Sequence, residues 1–310
     1  MNDINPRVDL AFKKLFGVEE NKDLLISLIN SIVSEDDQVA DITLLNPYNP
    51  KNFKKDKMSV LDIKASGHDG KRFNIEIQIA DERDYDKRAL YYWSKLYSEQ
   101  LRSGDDYSEL SKAIGIHILN FTSIPKLKKY HNIFHIKERE TGYEYFKDLE
   151  LHTIELNKFS DKVGSELSEI ALQVKTSLDR WVAFLTKHNL LVANNLPESL
   201  NEEKLKKAIN VLEVMNFSEE ERDAYEGHLK WLRTQTSALK KIHEDGRAEG
   251  RVEGLAEGIA KGEEIGLAKG KNEAKYELAI KLIKSGQSVE FASEMTGLSV
   301  KEIEERIKKI

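Results

Sequence analysis

The feature that most constrains the fold is a succession of strand, helix and strand near the middle of the chain. A hairpin of two apolar strands around a polar turn with Gly67 and Gly70 is predicted for residues 58–80, MSVLDIKASGHDGKRFNIEIQIA. Residues 81–104 carry apolar side chains at helical spacing, and residues 112–121, KAIGIHILNF, are continuously apolar, like a strand buried on both faces. This order predicts a βαβ crossover.

The segments around this unit predict an α/β fold with a mixed sheet flanked by helices. The apolar spacing of residues 7–33 indicates two short helices with a break near Gly17. Residues 131–138 and 149–156 add two strands, so we expect a sheet of about five. From residue 160 onward glycine and proline are scarce and the 3.6-residue period dominates, which predicts an all-helical C-terminal part.

Composition excludes several classes of protein. The 310 residues include no cysteine, which rules out disulfides, thiolate metal sites and a catalytic cysteine. The formal net charge of -6 provides no overall basic field, so a site for an anion would have to be a local patch. No apolar segment approaches the roughly 18 residues that span a bilayer, and the first residues lack a secretory signal. These features predict a soluble, cytoplasmic protein without a membrane partner.

Polar residues interrupt the apolar segments of the predicted hairpin. Alternation along two paired strands places Asp62, Glu76 and Gln78 on one face and isoleucines on the other. Two converging carboxylates repel each other unless a cation lies between them or one is protonated. Mg²⁺ prefers such oxygen ligands and can promote phosphodiester hydrolysis by water. The alternative is a half-exposed sheet that simply displays polar residues at every second position.

The order of these motifs resembles the PD-(D/E)XK nuclease superfamily. More narrowly, NPRVDLAFKKLFG, LDIKASGHDGKRFNIEIQ, RALYYWSKLYSEQL and the glycine-rich tail resemble the bacterial family of recombination-promoting nucleases and transposases. The resemblance extends from about Asn5 to the C-terminus. It implies a restriction-endonuclease-like fold, DNA as partner, and a nucleoid-associated endonuclease acting in recombination or on mobile elements.

The resemblance also implies which residues form the metal site. Asp62 and Glu76 would ligate Mg²⁺, or another divalent cation such as Mn²⁺, with the backbone carbonyl of Ile77 as a further ligand. Gln78 stands where the superfamily usually has lysine. A glutamine amide offers hydrogen bonds without the positive charge that stabilises the transition state.

A cation from another position could replace that lysine. The candidates are Lys64 and two residues of the predicted crossover helix, Arg88 and Lys95. Arg88 and Lys64 are also candidate DNA contacts. The alternative for Arg88 is a surface ion pair with Asp84, four residues earlier.

Two further sets of charged residues have both a functional and a structural interpretation. Asp9 matches an acidic position of the family, or it is a solvated residue near a helix N-terminus. Lys54 and Lys55 belong to a basic run, residues 51–57, and a second run occupies residues 126–130. These runs are either phosphate contacts or ordinary solvated surface.

Four segments are predicted along the chain. They are a nuclease-like domain at 1–160, a helical appendage at 161–243, a glycine-periodic helix or linker at 244–272, and a small helix-turn-helix-like unit at 273–310.

The glycine-periodic segment has a glycine at every fourth position from 246 to 270. Seven glycines in a helix cost roughly 7 kcal/mol relative to alanine, so close packing against another helix would be needed to offset them. This favours a homo-oligomer formed through the C-terminal helices. A flexible linker is the alternative.

The last segment predicts three helices, one ending at Gly286, one from Ser288 and one from Ser299. Ser299 and Glu302 form a capping-box pattern. The last helix either docks into DNA or closes a small bundle, and its acidic first half favours the bundle.

The function predicted is a metal-dependent DNA endonuclease. The alternative is a catalytically weak or inactive nuclease-fold protein that binds DNA and oligomerises, with Gln78 as the mark of lost activity. A transposase that moves its own element is a third option.

Overall fold

The computed structural model describes residues 4–48, 63–81, 84–162, 164 and 166–308. The strands described are β1 Ile42–Leu44, β2 Ile63–Gly67, β3 Arg72–Gln78, β4 Ala113–Leu119, β5 His131–Ile136 and β6 Phe146–Glu155. The α-helices described are α1 Asp9–Phe16, α2 Lys22–Ile32, α3 Tyr85–Ser98, α4 Leu156–Ser160, α5 Leu167–Gln173, α6 Ser177–Lys187, α7 Glu203–Glu213, α8 Glu219–Lys284, α9 Val289–Thr296 and α10 Val300–Ile307. The predicted break between the first two helices is confirmed.

The sheet is mixed, and its order within the described part of the chain is β1-β2-β3-β4-β6-β5. β3, β4 and β6 run parallel, while β1, β2 and β5 pair antiparallel with their neighbours. The hairpin and the βαβ crossover are confirmed, since α3 connects β3 to its parallel neighbour β4. The α/β fold class with flanking helices is therefore confirmed. β1 raises the number of strands above the expected five.

The crossover helix α3 packs on one face of the sheet. Trp93 and Leu96 form a buried cluster with Ala113 of β4 and Leu149 of β6. The Trp93 indole Nε1 donates to the Ala113 carbonyl at 2.7 Å. Because a buried indole N–H needs an acceptor, this bond fixes the rotation of α3 over the strands.

The other face of the sheet belongs to a core that the N-terminal and later helices share. Phe16 of α1 packs edge-on against Trp181 of α6, with ring centroids 5.4 Å apart, and both side chains are almost fully buried. The Trp181 Nε1 donates to Ser27 Oγ of α2 at 3.3 Å. Helices from both sides of residue 160 therefore complete one hydrophobic core.

The chain divides into two compact units, Met1–Thr236 and Ser237–Ile310. The second unit has a small core of its own, made by Ala279, Ala292, Leu298 and Ile303. The predicted capping box is present, since Ser299 Oγ accepts from the Glu302 N–H and the Glu302 carboxylate accepts from the Ser299 N–H.

The glycine-periodic segment is helical throughout, as part of α8. A Cβ added at any of its seven glycines would meet nothing within 4 Å. The glycines therefore make no close packing contact with the described residues of the chain itself.

The described part of the chain includes no helix with the length and apolar character of a membrane span.

A buried polar network connects β5 and β6 to the segment after α2. Lys112 Nζ donates to Asp37 Oδ2 at 2.6 Å and to Glu150 Oε2 at 2.7 Å. Glu150 Oε1 lies 2.6 Å from His152 Nε2, and His152 Nδ1 lies 2.9 Å from His131 Nε2. Burial, reinforced by His152, lowers the pKa of His131 to about 4. Although burial opposes it, hydrogen bonds from His152 and Lys112 hold the pKa of Glu150 at about 2.

This network predicts a loss of stability in mild acid. Between about pH 6.5 and pH 4 the unfolded chain protonates His131 while the folded protein does not, so the unfolded state binds more protons and the free energy of unfolding falls as the pH falls. Glu150 adds to the loss only below about pH 4.5, because its carboxylate stays ionised in the folded state down to about pH 2. Thermal melting at a series of pH values measures the slope.

The His131→Gln variant, which cannot titrate, should lose less stability than the wild type between pH 6.5 and 4. Equal slopes for His131→Gln and the wild type would contradict the prediction.

Candidate active site

The predicted site lies where β3 carries polar residues toward its carboxyl end. In the antiparallel register Ile63 of β2 pairs with Ile75 of β3, and Glu76 is the next residue along β3. Glu76 is 8% exposed and pairs in the parallel register with His117 of β4. Asp62, Lys54 and Lys55 lie outside the described residues. Of the two predicted carboxylate ligands, Glu76 lies within the described residues.

Arg88 of α3 connects the two polar residues of β3. Its Nη2 donates to Glu76 Oε1 at 2.9 Å and to Gln78 Oε1 at 2.7 Å. Its guanidinium carbon lies 5.0 Å from the centroid of the Tyr85 ring, in a cation–π contact. Asp84, the alternative partner for Arg88, instead pairs with Lys87 at 2.6 Å. The structure therefore places a positive charge beside Gln78, where the superfamily motif has lysine.

The other two candidate cations lie beside a different carboxylate. Lys64 Nζ is 3.6 Å from Glu99 Oε2, and Lys95 Nζ is 3.5 Å from Glu99 Oε1. Glu99 follows the last residue of α3, whereas Arg88 lies in its first half. Helix geometry separates Arg88 from Lys95 by about 10 Å along the axis. The structure thus groups Arg88 with Glu76 and Gln78, and groups Lys64 and Lys95 with Glu99.

His117 and Tyr85 belong to the same cluster of side chains as Glu76 and Arg88, although the sequence patterns singled out neither. His117 Nδ1 lies 2.8 Å from the Tyr85 hydroxyl and 3.8 Å from Glu76 Oε2. Burial, together with the charge of Arg88, lowers the pKa of His117 to about 4, so its imidazole is neutral at pH 7. The signal in the sequence is a histidine inside the apolar strand AIGIHIL, because a buried polar residue is more informative than an exposed one.

A cavity of about 540 Å³ opens beside this cluster, at the carboxyl ends of the parallel strands. Such ends are the usual position of ligand sites in open α/β sheets. Its lining combines acidic, hydroxyl, imidazole and apolar side chains. They come from α3, β4, β5, β6, the segment between β3 and α3, and the segment after β4: Asp81, Asp84, Tyr85, Asp86, Ala89, His117, Leu119, Thr122, Ser123, Ile124, Phe134, Leu151 and Thr153.

The N-terminus of α1 is connected to the same end of the sheet. Arg7 Nη1 donates to Asn120 Oδ1 at 2.7 Å, and the Asn120 N–H donates to the Gln78 carbonyl at 2.9 Å. Asp9 is the first residue of α1, and its Oδ2 lies 3.9 Å from His228 Nδ1 of α8. Asp9 therefore lies two residues after the arginine that connects α1 to the end of β3, and it also approaches α8.

The donor atoms near Glu76 suit a hard divalent cation. The Glu76 carboxylate and the Ile77 carbonyl are oxygen donors, which Mg²⁺ prefers. Within the described residues no group of three or more His, Cys, Asp or Glu side chains has the arrangement of a metal site. A complete ligand set would therefore need Asp62 as well.

A family model described as PD-(D/E)XK nuclease family transposase matches residues 6–241, more than half of the chain. The chain belongs to this family. The match confirms the family that the motifs resemble and agrees with the mixed sheet and its flanking helices. Membership in the PD-(D/E)XK nuclease family transposases indicates a nuclease-like function. Neither a curated protein nor a solved structure matches the chain.

Proposed function

We propose that the protein is a Mg²⁺-dependent DNA endonuclease that hydrolyses phosphodiester bonds. The observation that carries this proposal is the contact of Arg88 with both Glu76 and Gln78. It supplies the positive charge that the motif of this nuclease family would otherwise lack at Gln78.

Asp62, Glu76 and the carbonyl of Ile77 would hold the metal ion, with Mn²⁺ as an alternative to Mg²⁺. Asp62 directly precedes β2, and Glu76 directly follows the residue that pairs with Ile63. The chemistry that a divalent cation supplies in such a site is polarisation of the phosphodiester and a lowered pKa for the attacking water.

The protein's own residues would position the Arg88 guanidinium, which would stabilise the negative charge that develops on the phosphate. Gln78 Oε1 accepts from Arg88 and so orients its guanidinium, which always carries a positive charge. Tyr85 contacts both Arg88 and His117 and supports the arrangement from the side of α3. We propose Lys64, Lys54 and Lys55 as additional contacts to DNA, and Asp9 as an auxiliary acidic residue. Lys95, which pairs with Glu99, is the weaker candidate for the catalytic cation.

Cleavage of supercoiled plasmid tests the function directly. The wild-type protein should nick or linearise the plasmid with Mg²⁺ and leave it intact with EDTA, and Asp62→Ala should show no cleavage. An exposed-aspartate control, Asp36→Ala, should cleave like the wild type. Cleavage that persists in EDTA or in Asp62→Ala would overturn the proposal.

Gln78 itself favours a second candidate function, a nuclease-fold protein with weak or absent activity that binds DNA and oligomerises. In that case the wild type binds DNA but fails to cleave the plasmid at any Mg²⁺ or Mn²⁺ concentration. Strand transfer of the protein's own element, the transposase option, would appear as joined products in the same assay.

We further propose that the protein associates with itself through the C-terminal helices and acts on nucleoid DNA during recombination or on mobile elements. The open glycines of α8 and its exposed apolar residues, among them Leu255, Ile259 and Leu267, leave room for a second helix. Truncation before Gly246 should lower the number of subunits in the oligomer, and an unchanged number of subunits would count against this part of the proposal.

A further inference from the structure

A second concave surface lies in the unit Met1–Thr236, where the first turns of α8 pass the N-terminal segment. Its volume is about 540 Å³. The apolar part of its lining consists of Ile4, Phe217, Tyr225 and Leu229, and the remaining lining residues are Arg222, Glu226, Gly227, Lys230 and Arg233. We call this surface the α8 groove.

Positive charge dominates the α8 groove. Arg222, Lys230 and Arg233 are all exposed, and within the described residues none of them forms an ion pair. Glu226 is the carboxylate in the lining. The groove is therefore net positive in a chain whose net charge is -6. A local positive patch of this kind allows a protein with a negative net charge to bind an anionic partner.

The spacing of the cations fits an extended polyanion. Arg222, Lys230 and Arg233 are eight and three residues apart on one helix, which places them along one face. The two arginines are about 16 Å apart along the helix axis. One strand of B-DNA carries a phosphate about every 3.4 Å along its axis, so this length corresponds to about five phosphates.

Hydrogen bonds connect the α8 groove to the candidate active site. The Tyr225 hydroxyl accepts from the Asn5 N–H at 2.8 Å. Two residues later Arg7 donates to Asn120, whose N–H donates to the Gln78 carbonyl. The groove and the carboxyl end of β3 are therefore connected through one short N-terminal segment.

We propose that the α8 groove binds the phosphate backbone of the DNA that enters the active site. Arg222, Lys230 and Arg233 contact phosphates, and the apolar floor faces the sugars. DNA as the ligand rests on the proposed nuclease function. Phosphate contacts of this kind set the position of the duplex without reading its sequence.

The salt dependence of DNA binding tests this inference without any cleavage. A fluorescent 30-base-pair duplex of arbitrary sequence is titrated with the full chain in EDTA between 50 and 200 mM salt. The triple variant Arg222→Ala, Lys230→Ala, Arg233→Ala should bind at least about 10-fold more weakly at the lower salt concentrations. The slope of log affinity against log salt should decrease in magnitude by about 2.7, which is 0.9 for each lost phosphate contact.

A matched variant controls for the loss of three positive charges. Arg102→Ala, Lys137→Ala, Arg139→Ala changes three exposed cations outside the groove and should keep the wild-type slope. Thermal melting of both variants verifies that they are folded. An equal loss of DNA affinity in the two variants, or a wild-type salt slope in the groove variant, would overturn the inference.

A poly-glutamate peptide in the same titration distinguishes the other anionic partner. If the groove variant binds the peptide more weakly than the wild type but binds DNA with unchanged affinity, the groove binds an acidic protein segment and the inference fails. The proposed function can fail separately, since a wild type that binds DNA through the groove but never cleaves it refutes the nuclease alone.

Discussion

A Glu76→Gln variant is expected to lose plasmid cleavage by at least about 1,000-fold. Metal-ion catalysis supplies several kcal/mol of transition-state stabilisation, and each 1.36 kcal/mol corresponds to a factor of ten in rate. The amide can still accept a hydrogen bond from Arg88 Nη2, which now approaches Glu76 Oε1 at 2.9 Å. It cannot supply the negative charge that Mg²⁺ requires. The rate of nicking at saturating Mg²⁺ measures the effect.

Two measurements separate loss of the site from loss of the fold. Thermal melting should show a folded Glu76→Gln protein, and calorimetric titration with Mg²⁺ should show that binding is lost. A control at an exposed glutamate, Glu109→Gln, should keep both activity and metal binding. Wild-type cleavage by Glu76→Gln would exclude Glu76 as a metal ligand.

An Arg88→Ala variant is expected to lose about 100- to 1,000-fold in cleavage rate, the usual effect of removing one group that stabilises transition-state charge. Its folding stability should also fall, because Glu76 is 8% exposed and would lose a charged partner. Adding Gln78→Lys to Arg88→Ala should restore much of the activity. The side chain at position 78 lies 2.7 Å from the guanidinium, so a lysine there carries its charge into the same region.

The rescue is what distinguishes a catalytic charge from a structural one. If Arg88 only held α3 against the sheet, Gln78→Lys would not restore cleavage. Arg102→Ala, at an exposed arginine beyond the end of α3, should behave like the wild type. An Arg88→Ala variant with full activity would exclude Arg88 as the catalytic cation and leave Lys64 and Lys95 as the candidates.

Much of the architecture around the site follows from sequence periodicity. Alternation in residues 72–78 predicts which side chains face the core, and the register of Ile63 with Ile75 agrees with it. A buried apolar strand after one amphipathic helix predicts the parallel pairing of β3 and β4. The strand β1 escaped prediction because three residues, Ile42–Leu44, are too few to show a period.

The choice among the three cations could not be made from the sequence. Lys64, Arg88 and Lys95 all come from segments that border the predicted site, and spacing alone ranks none of them. The decision depends on how α3 is rotated and placed on the sheet, which the Trp93 hydrogen bond and the packing of Leu96 determine. The contact of His117 with Glu76 could likewise not be predicted from the sequence, because it depends on the register between two strands joined by a helix.

The packing of Trp181 against α1 and α2 also determines when the core can form during synthesis. Trp181 and its hydrogen-bond partner Ser27 are 154 residues apart in the chain. At about 5 to 20 residues per second, the ribosome needs about 8 to 31 s to make that intervening length. During this time the first two helices have no partner for the apolar surface that later contacts α6. This part of the core therefore cannot form until α6 has been synthesised.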